Sequence, residues 1–376
     1  MGSREDAVRY VVLMAGGRGE RFWPLSRRRM PKHLLPLWEG HSLLQRTVER
    51  VEPLVPISQI LVVTTAEQAR IVRRQLPFLP RENLIVEPAG RDTAPAVTLS
   101  AAIVGARSSN AVMAMLPADH WIGDTERFRN TLADALDLAA QHPVIVTLGI
   151  CPTEPATGYG YIRLGNPWSY PRLPGHRGTL FHHADAFIEK PCRERALEFV
   201  QSGQYRWNAG MFVWHWATFR DGLAEHRPDF HAALLRWIQF SHQPARLRRM
   251  LAREYPTLPR VSIDYALMER ARNIVVGDAS FDWDDLGSWT SLARHLPQDP
   301  AGNVLHGDCL TIEASGNVVY DARSTPRRTL MALLGVQDLI LVQTDDAVLL
   351  VHKSQAQKVR DLVQRLAQHP RQQRLV

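Results

Sequence analysis

An apolar run, Tyr10 to Met14, feeds without a break into Ala15-Gly16-Gly17-Arg18-Gly19-Glu20-Arg21. Few folds accommodate that arrangement. A short buried strand ending in a glycine-rich turn is how α/β proteins expose backbone N–H groups to a phosphate chain. Glycine accepts positive φ there and has no Cβ to hold a ligand away. The carboxyl end of such a strand is also where open parallel sheets hold their ligands. Ala15 and Gly16 to Gly19 are therefore expected to wrap a nucleoside triphosphate, with Arg21 and Lys32 neutralising it. Two common glycine motifs are excluded. The ATPase phosphate loop ends in Gly-Lys-Ser/Thr, whereas Gly19 precedes Glu20-Arg21, and the dinucleotide fingerprint needs a third glycine where Phe22 stands.

The rest of the first half alternates. A helix is expected from Ser42, with a capping residue and helical apolar spacing. A strand over Gln59 to Thr64 and a helix over Ala66 to Gln75 follow. A strand over Asn83 to Val86 then leads to a helix through Ala106, a strand over Ala111 to Leu116, a helix over Thr125 to Ala140 and a strand over Val144 to Leu148. Short apolar strands alternating with helices predict a doubly wound, mostly parallel sheet of the α/β class. Right-handed crossovers place every strand-to-helix turn on one edge, so the glycine turn and Asp119, which follows Leu116-Pro117-Ala118, are expected to converge. A carboxylate at a strand end serves a divalent cation or caps a helix; magnesium prefers such oxygen donors, so His120 reads as packing.

At 376 residues the chain accommodates a sizeable α/β domain and a smaller one. No apolar run approaches the ~18 residues of a membrane span, and MGSREDAVRY has no signal-peptide core. Cys151, Cys192 and Cys309 are too sparse for a disulfide framework or a zinc site, which fits a cytoplasmic setting. The net charge of +7 is spread among acids rather than blocked, so a polyanionic small substrate explains it without nucleic acid. Among 45 Lys+Arg only four are lysines: Lys32, Lys190, Lys353 and Lys358. Where arginine is the habitual cation, a retained ammonium suggests a need for a compact point charge. The first two lie in motifs; the last two open a C-terminal helix and read as a solvated face.

The string GGRGERFWPLS…PKHLLPL resembles the signature of the sugar nucleotidyltransferases, and Trp23-Pro24-Leu25-Ser26 is similar to their mannose-1-phosphate guanylyltransferase branch. Further motifs follow in the family's order: Glu87 to Ala96, Leu116 to His120, Thr157 to Ile162, Phe187 to Pro191, Trp207 to Phe212, Ser262 to Glu269 and Trp283 to Trp289. The resemblance implies a Rossmann-like fold over residues 1–298, then a small β domain over 299–376 resembling a left-handed β-helix with a terminal helix. The isomerase domain of longer members is not expected.

The resemblance also implies the chemistry: GMP passes from GTP to α-D-mannose 1-phosphate, giving GDP-mannose and pyrophosphate with Mg²⁺. Gly16, Gly17, Gly19, Arg21 and Thr93 would hold the nucleotide and Lys32 would reach the α-phosphate. Asp119 and Asp285 would hold the metal. On the sugar side, Lys190 would take the phosphate, and Glu189, Asn208, Tyr159 and Gly160 would border the hydroxyls. Asp92 stands where the family has asparagine, so the role of that side chain is open. Asp264 either supports the sugar site or favours a helix N-terminus. The acids Asp282, Asp284 and Asp285 require a cation or arginine nearby. His215, His182 and His183 have no partner at metal spacing and read as structural. The expected partners are the two small substrates and a second copy of the chain, with neither nucleic acid nor membrane. The alternatives are another sugar 1-phosphate as acceptor, or a non-catalytic nucleotide-sugar sensor.

Overall fold

The computed structural model describes residues 7–38, 40–169, 175–324 and 329–376; the start of the N-terminal stretch read above lies outside them. The chain gathers into two compact units. The first comprises Met1–Gly16, Thr47–Ala118 and Ile122–Trp283, the second Gly17–Arg46, Asp119–Trp121 and Asp284–Val376. A division at 298/299 cuts the chain once, whereas these units interleave along it.

The strands are β1 (Val8–Ala15), β2 (Ile60–Thr65), β3 (Leu84–Glu87), β4 (Ala111–Pro117), β5 (Trp121–Ile122), β6 (Ile145–Ile150), β7 (Tyr161–Pro167), β8 (Phe181–Ile188), β9 (Tyr205–His215), β10 (Ile274–Ala279) and β11 (Trp283–Asp284). The first unit is built on a nine-stranded sheet in the order β3-β2-β1-β4-β9-β6-β10-β8-β7. Within it β8 and β9 run against the other strands, so the doubly wound, mostly parallel class holds. Its central strands are apolar without alternation because both faces are covered. Val11, Val12 and Leu13 are all fully buried, in register with Ile60, Leu61 and Val62 on one side and Ala114, Met115 and Leu116 on the other. Strand order reverses at β1, which lies between β2 and β4, and such switch points open a crevice at the carboxyl ends. Gly16 and Ala118 leave the sheet there side by side, with Ala118 N donating to Met14 O at 3.2 Å.

The helix Thr93–Arg107 is buried on nearly every side, which its run of alanines and small residues permits. Asp92 caps it. Its carboxylate accepts from Thr93 N at 2.8 Å while its backbone sits at φ 69°, a conformation that Asp and Asn tolerate better than most residues. Three helices that the apolar spacing did not suggest, Trp216–His226, Pro228–Phe240 and Pro244–Glu254, bring Phe219, Trp237 and Leu251 into the core beside Trp214. The expected helix at Ser262 is a π-helical turn, Asp264–Met268. The one expected over Ala66 to Gln75 begins later, at Ala69.

In the second unit, β12 (Val304–His306), β13 (Cys309–Ile312), β14 (Val318–Asp321), β15 (Met331–Leu334), β16 (Leu339–Gln343) and β17 (Val348–His352) stack as coils. β12, β14 and β16 pair in parallel, as do β13 and β15, which places Val304, Val318 and Ile340 in one buried column. β15 was not anticipated from the sequence. Thr344 to Ala347 forms the corner of the β16–β17 hairpin, as expected, with Thr344 N donating to Ala347 O at 2.9 Å. The coil turns are stitched by Asn303 and Asn317, both fully buried: Asn317 Nδ2 donates to Asn303 Oδ1 at 2.9 Å, and Asn317 Oδ1 accepts from Leu339 N at 2.9 Å. Satisfying both amides is what makes their burial tolerable.

Candidate functional site

Within the second unit the expected nucleotide and metal residues gather around one ammonium. Lys32 lies in the 3₁₀ turn Lys32–Leu34 and is only 5% exposed. Its Nζ donates to Asp119 Oδ2 at 2.8 Å, to Asp285 O at 2.6 Å and to Leu286 O at 3.2 Å. A lysine has three donors, and here each has an oxygen. Burial alone would raise the Asp119 carboxyl, but the Lys32 ammonium, with His120 and His33, draws it down to about 2. The pair is charged at neutral pH.

Glycine at 19 is required by that seat. A Cβ there would lie 2.5 Å from Lys32 Cβ and 2.8 Å from its backbone N, and Gly19 itself has φ 60°. The turn is tied to Ser26, whose Oγ donates to Gly19 O at 2.7 Å. Arg21 donates to Gly287 O at 3.2 Å, which places it beside the Asp285 turn. Gly17 and Arg18 are exposed.

The three-acid run resolves into separate roles. Asp284 is buried, accepts from Leu286 N at 2.8 Å, and faces His295 at 2.9 Å and Arg294 at 3.2 Å. That is the counter-charge the sequence called for, and the crowding of acids was its signal; the identity of His295 had none. Asp284 holds Leu286 at φ 48° and so aims the carbonyls of 285 and 286 at Lys32. Asp285 Oδ1 accepts from Gly287 N at 2.9 Å.

Among the described residues no three His, Cys, Asp or Glu are grouped to hold a metal. Magnesium does not require such a cage, because it is commonly bound by one or two carboxylates plus substrate phosphates and water. The Asp119 carboxylate and the Asp285 carbonyl already share one cation, Lys32 Nζ. Hard oxygen donors converging on a positive charge fit magnesium and not a softer metal.

Within the first unit lie two further groups. Ala15 closes β1 with its carbonyl accepting from Thr64 Oγ1 at 2.9 Å. A Cβ on Gly16 would come within 3.1 Å of Glu87 Oε1. Glu87 is buried and accepts from the Tyr255 hydroxyl through Oε2. Burial pushes its carboxyl up to about 7, against the Tyr255 hydrogen bond, and the Asp92 charge adds to the rise. Tyr255 titrates above its usual range, from burial first and then from Glu87. No local pattern marks Tyr255 as a partner of Glu87. Thr93 Oγ1 accepts from Ile263 N at 2.8 Å, which ties the start of its helix to the residues before Asp264.

The expected sugar residues also gather. Lys190 has φ 46°, and its N donates to Tyr159 O at 3.3 Å; Asn208 N donates to Gly160 O at 2.8 Å. Lys190 Nζ donates to Glu189 Oε1 at 2.7 Å, the lysine side chain being 58% exposed and the glutamate's 10%. A Cβ on Gly160 would come 2.5 Å from Glu189 Oε2. Tyr159 packs edge-on against Trp207 and Trp283, with centroids at 5.0 and 5.4 Å. His215 is structural, as expected: Nε2 meets Asn110 Oδ1 at 3.1 Å and Nδ1 accepts from Ala217 N.

Comparison with known proteins agrees. Residues 10–301 match the nucleotidyl transferase family, and residues 307–366 match the mannose-phosphate isomerase/GMP-like β-helix domain. The chain is 36% identical over 96% of its length to mannose-1-phosphate guanylyltransferase 2 of Escherichia coli O157:H7, spanning 74% of that protein. It is 37% identical over 95% of its length to mannose-1-phosphate guanylyltransferase ManC of Salmonella typhimurium, spanning 73% of that protein. A crystal structure from Thermus thermophilus, described as a mannose-1-phosphate geranyltransferase, is 40% identical, with 95% of this chain and 99% of that one covered at a TM-score of 0.82. With the ordered motifs, the doubly wound sheet and the β-helix-like coils in place, the chain belongs to the nucleotidyl transferase family, among the enzymes named mannose-1-phosphate guanylyltransferase.

Proposed function

We propose that this enzyme transfers GMP from GTP to α-D-mannose 1-phosphate. An oxygen of the sugar phosphate attacks the α-phosphorus in line, the bond to the bridging oxygen of the β-phosphate breaks, and pyrophosphate leaves. The attacking phosphate is already an anion, so no protein base is needed. The task is to orient two anions that repel and to offset charge as it develops.

The observation that carries this reading is the buried Lys32 ammonium on Asp119 and on the carbonyls of 285 and 286. A compact cation beside a fully ionised carboxylate suits a site where a triphosphate and its counter-ion are to be held. Asp119 and Asp285 would hold Mg²⁺, which would supply charge neutralisation on the phosphates. Gly16, Gly17 and Gly19 present backbone N–H groups to the triphosphate, Arg21 neutralises it, and Lys32 reaches the α-phosphate. Thr93 and the helix it opens border the nucleotide. Lys190 takes the sugar phosphate, with Glu189, Asn208, Tyr159 and Gly160 around the hydroxyls.

A pyrophosphate-release assay with mannose 1-phosphate and GTP, ATP, UTP or dTTP tests this directly. Release is expected with GTP and divalent magnesium, and GDP-mannose is the expected product. Preference for another nucleotide, or for a different sugar 1-phosphate in a matched panel, would overturn the substrate assignment.

A further inference from the structure

Asn208 is held from three sides. Its Oδ1 accepts from Gly210 N at 3.0 Å and lies 3.2 Å from the Thr147 hydroxyl, while its Nδ2 donates to Asp264 Oδ1 at 2.9 Å. Those contacts fix which end of the amide is oxygen and fill its acceptor sites. Asn208 is therefore left with one amide hydrogen and nothing with which to receive a hydroxyl's proton.

The missing acceptor is next to it. Asp264 opens the π-helical turn Asp264–Met268, a wide turn of a kind that recurs at functional sites because it re-aims a side chain. Its Oδ1 is engaged by Asn208, and Oδ2 takes no hydrogen bond among the described residues. Glu189 and Lys190 face it, with Tyr265 and Glu269 further along the turn. Glu189 is occupied on both oxygens, by Lys190 Nζ on one and by close approach to Gly160 on the other. Burial first and then the Glu189 charge push the Asp264 carboxyl up to about 6, a cost that an O–H donor from a ligand would offset.

We propose that Asp264 binds the substrate sugar, its free carboxylate oxygen accepting from a ring hydroxyl while Asn208 donates beside it. This rests on the reading that Glu189, Lys190 and Asn208 take the sugar 1-phosphate. The two groups form a donor–acceptor pair of fixed polarity, and a hydroxyl is the one sugar group that can satisfy both halves. A sugar lacking that hydroxyl, or carrying it on the opposite ring face, leaves a charged acceptor unpaired, which is how a polar site rejects near-isosteres. Asp264 is thus a specificity-determining residue, and the wide turn is what presents it.

The test is a cycle between Asp264→Asn and the substrate. Steady-state kcat/KM is measured for mannose 1-phosphate and for its 2-, 3-, 4- and 6-deoxy analogues, with wild type, Asp264→Asn and Lys190→Ala. Asp264→Asn is expected to lower kcat/KM for mannose 1-phosphate by about 10- to 100-fold, the range of a hydrogen bond to a charged group. The KM for GTP is expected to stay within about twofold. For one deoxy analogue the loss should vanish, and that analogue names the hydroxyl. An equal loss for every analogue, or an equal rise in the KM for GTP, makes Asp264 a structural residue and overturns the proposal.

If Lys190→Ala weakens sugar phosphate use while Asp264→Asn does not, the proposal fails and the sugar-site reading stands. If neither does, the reading fails and takes the proposal with it. Protonation gives a second readout. The acid limb of kcat/KM near pH 6 should flatten in Asp264→Asn. The substrate phosphate also titrates near pH 6 but does so equally in both proteins, so the difference isolates the carboxyl. Superimposable profiles count against the proposal.

Discussion

Two lysines in this arginine-rich chain each sit against a carboxylate, and they are opposites. Lys32 is buried, with all three ammonium donors on oxygens fixed by turns of the second unit. Lys190 is exposed, paired with a glutamate one residue away, and free to turn. The glycines beside them repeat the contrast. A side chain at 19 would run into the Lys32 backbone, whereas one at 160 would meet only the end of the Glu189 side chain. Carboxyls diverge as well: Asp119 beside an ammonium falls to about 2, and Glu87 beside a tyrosine hydroxyl rises to about 7. The nucleotide half is preorganised and charged before any ligand arrives, while the sugar half keeps adjustable groups. Preorganised charge is where electrostatic catalysis gains most, because no reorganisation is left to do at the moment of reaction.

The sharpest way to break this contrast is Lys32→Ala. Removing a preorganised charge of this kind costs roughly 10²- to 10³-fold in kcat, with little change expected in the KM for mannose 1-phosphate. The reverse split would move Lys32 to the sugar side. Gly19→Ala comes next: with the neighbouring backbone in the way, kcat is expected to fall by about tenfold or more. Lys190→Ala should raise the KM for mannose 1-phosphate by about tenfold, as the loss of one charge-assisted hydrogen bond implies, and spare that for GTP. Equal loss of both would erase the distinction. Gly160→Ala is expected to cost least, because the Glu189 carboxylate can swing aside. A drop matching that of Gly19→Ala would show the sugar half to be equally rigid.

Glu87 supplies a pH test of the same contrast. Folded, it keeps its proton to about pH 7; unfolded, it loses it near ~4.3. The unfolded chain therefore binds fewer protons between those values, so its contribution is full below pH ~4.3 and is lost as pH rises through about 7. Glu87→Gln, which cannot ionise, should gain on wild type across that window in urea unfolding and hold a constant difference above it. A difference independent of pH would mean that Glu87 is charged when folded.

Much of the fold was legible because it depends on local order. Apolar strands alternating with capped helices identified the doubly wound sheet, and the β16–β17 corner followed from Thr344-Asp345-Asp346-Ala347. The three helices between Trp216 and Glu254 escaped because their apolar residues face a core assembled from distant segments. β15 escaped because Met331 to Leu334 is too short to signal alone. The site residues were legible where a motif is compact, as at Gly16 to Arg21 or Glu189-Lys190. Their partners were not: Tyr255 joins Glu87 across 168 residues and Asp264 joins Asn208 across 56.

The sequence by itself determined where strands end and turns begin, because backbone preferences and apolar period are properties of neighbouring residues. It also determined which carboxylates and cations were on offer. Only the tertiary structure decided that Lys32 spends its donors on Asp119 and on the carbonyls after Asp284 rather than on solvent. The reason is physical: a charge's partner and its protonation depend on what is packed around it, and packing is chosen by the whole chain at once.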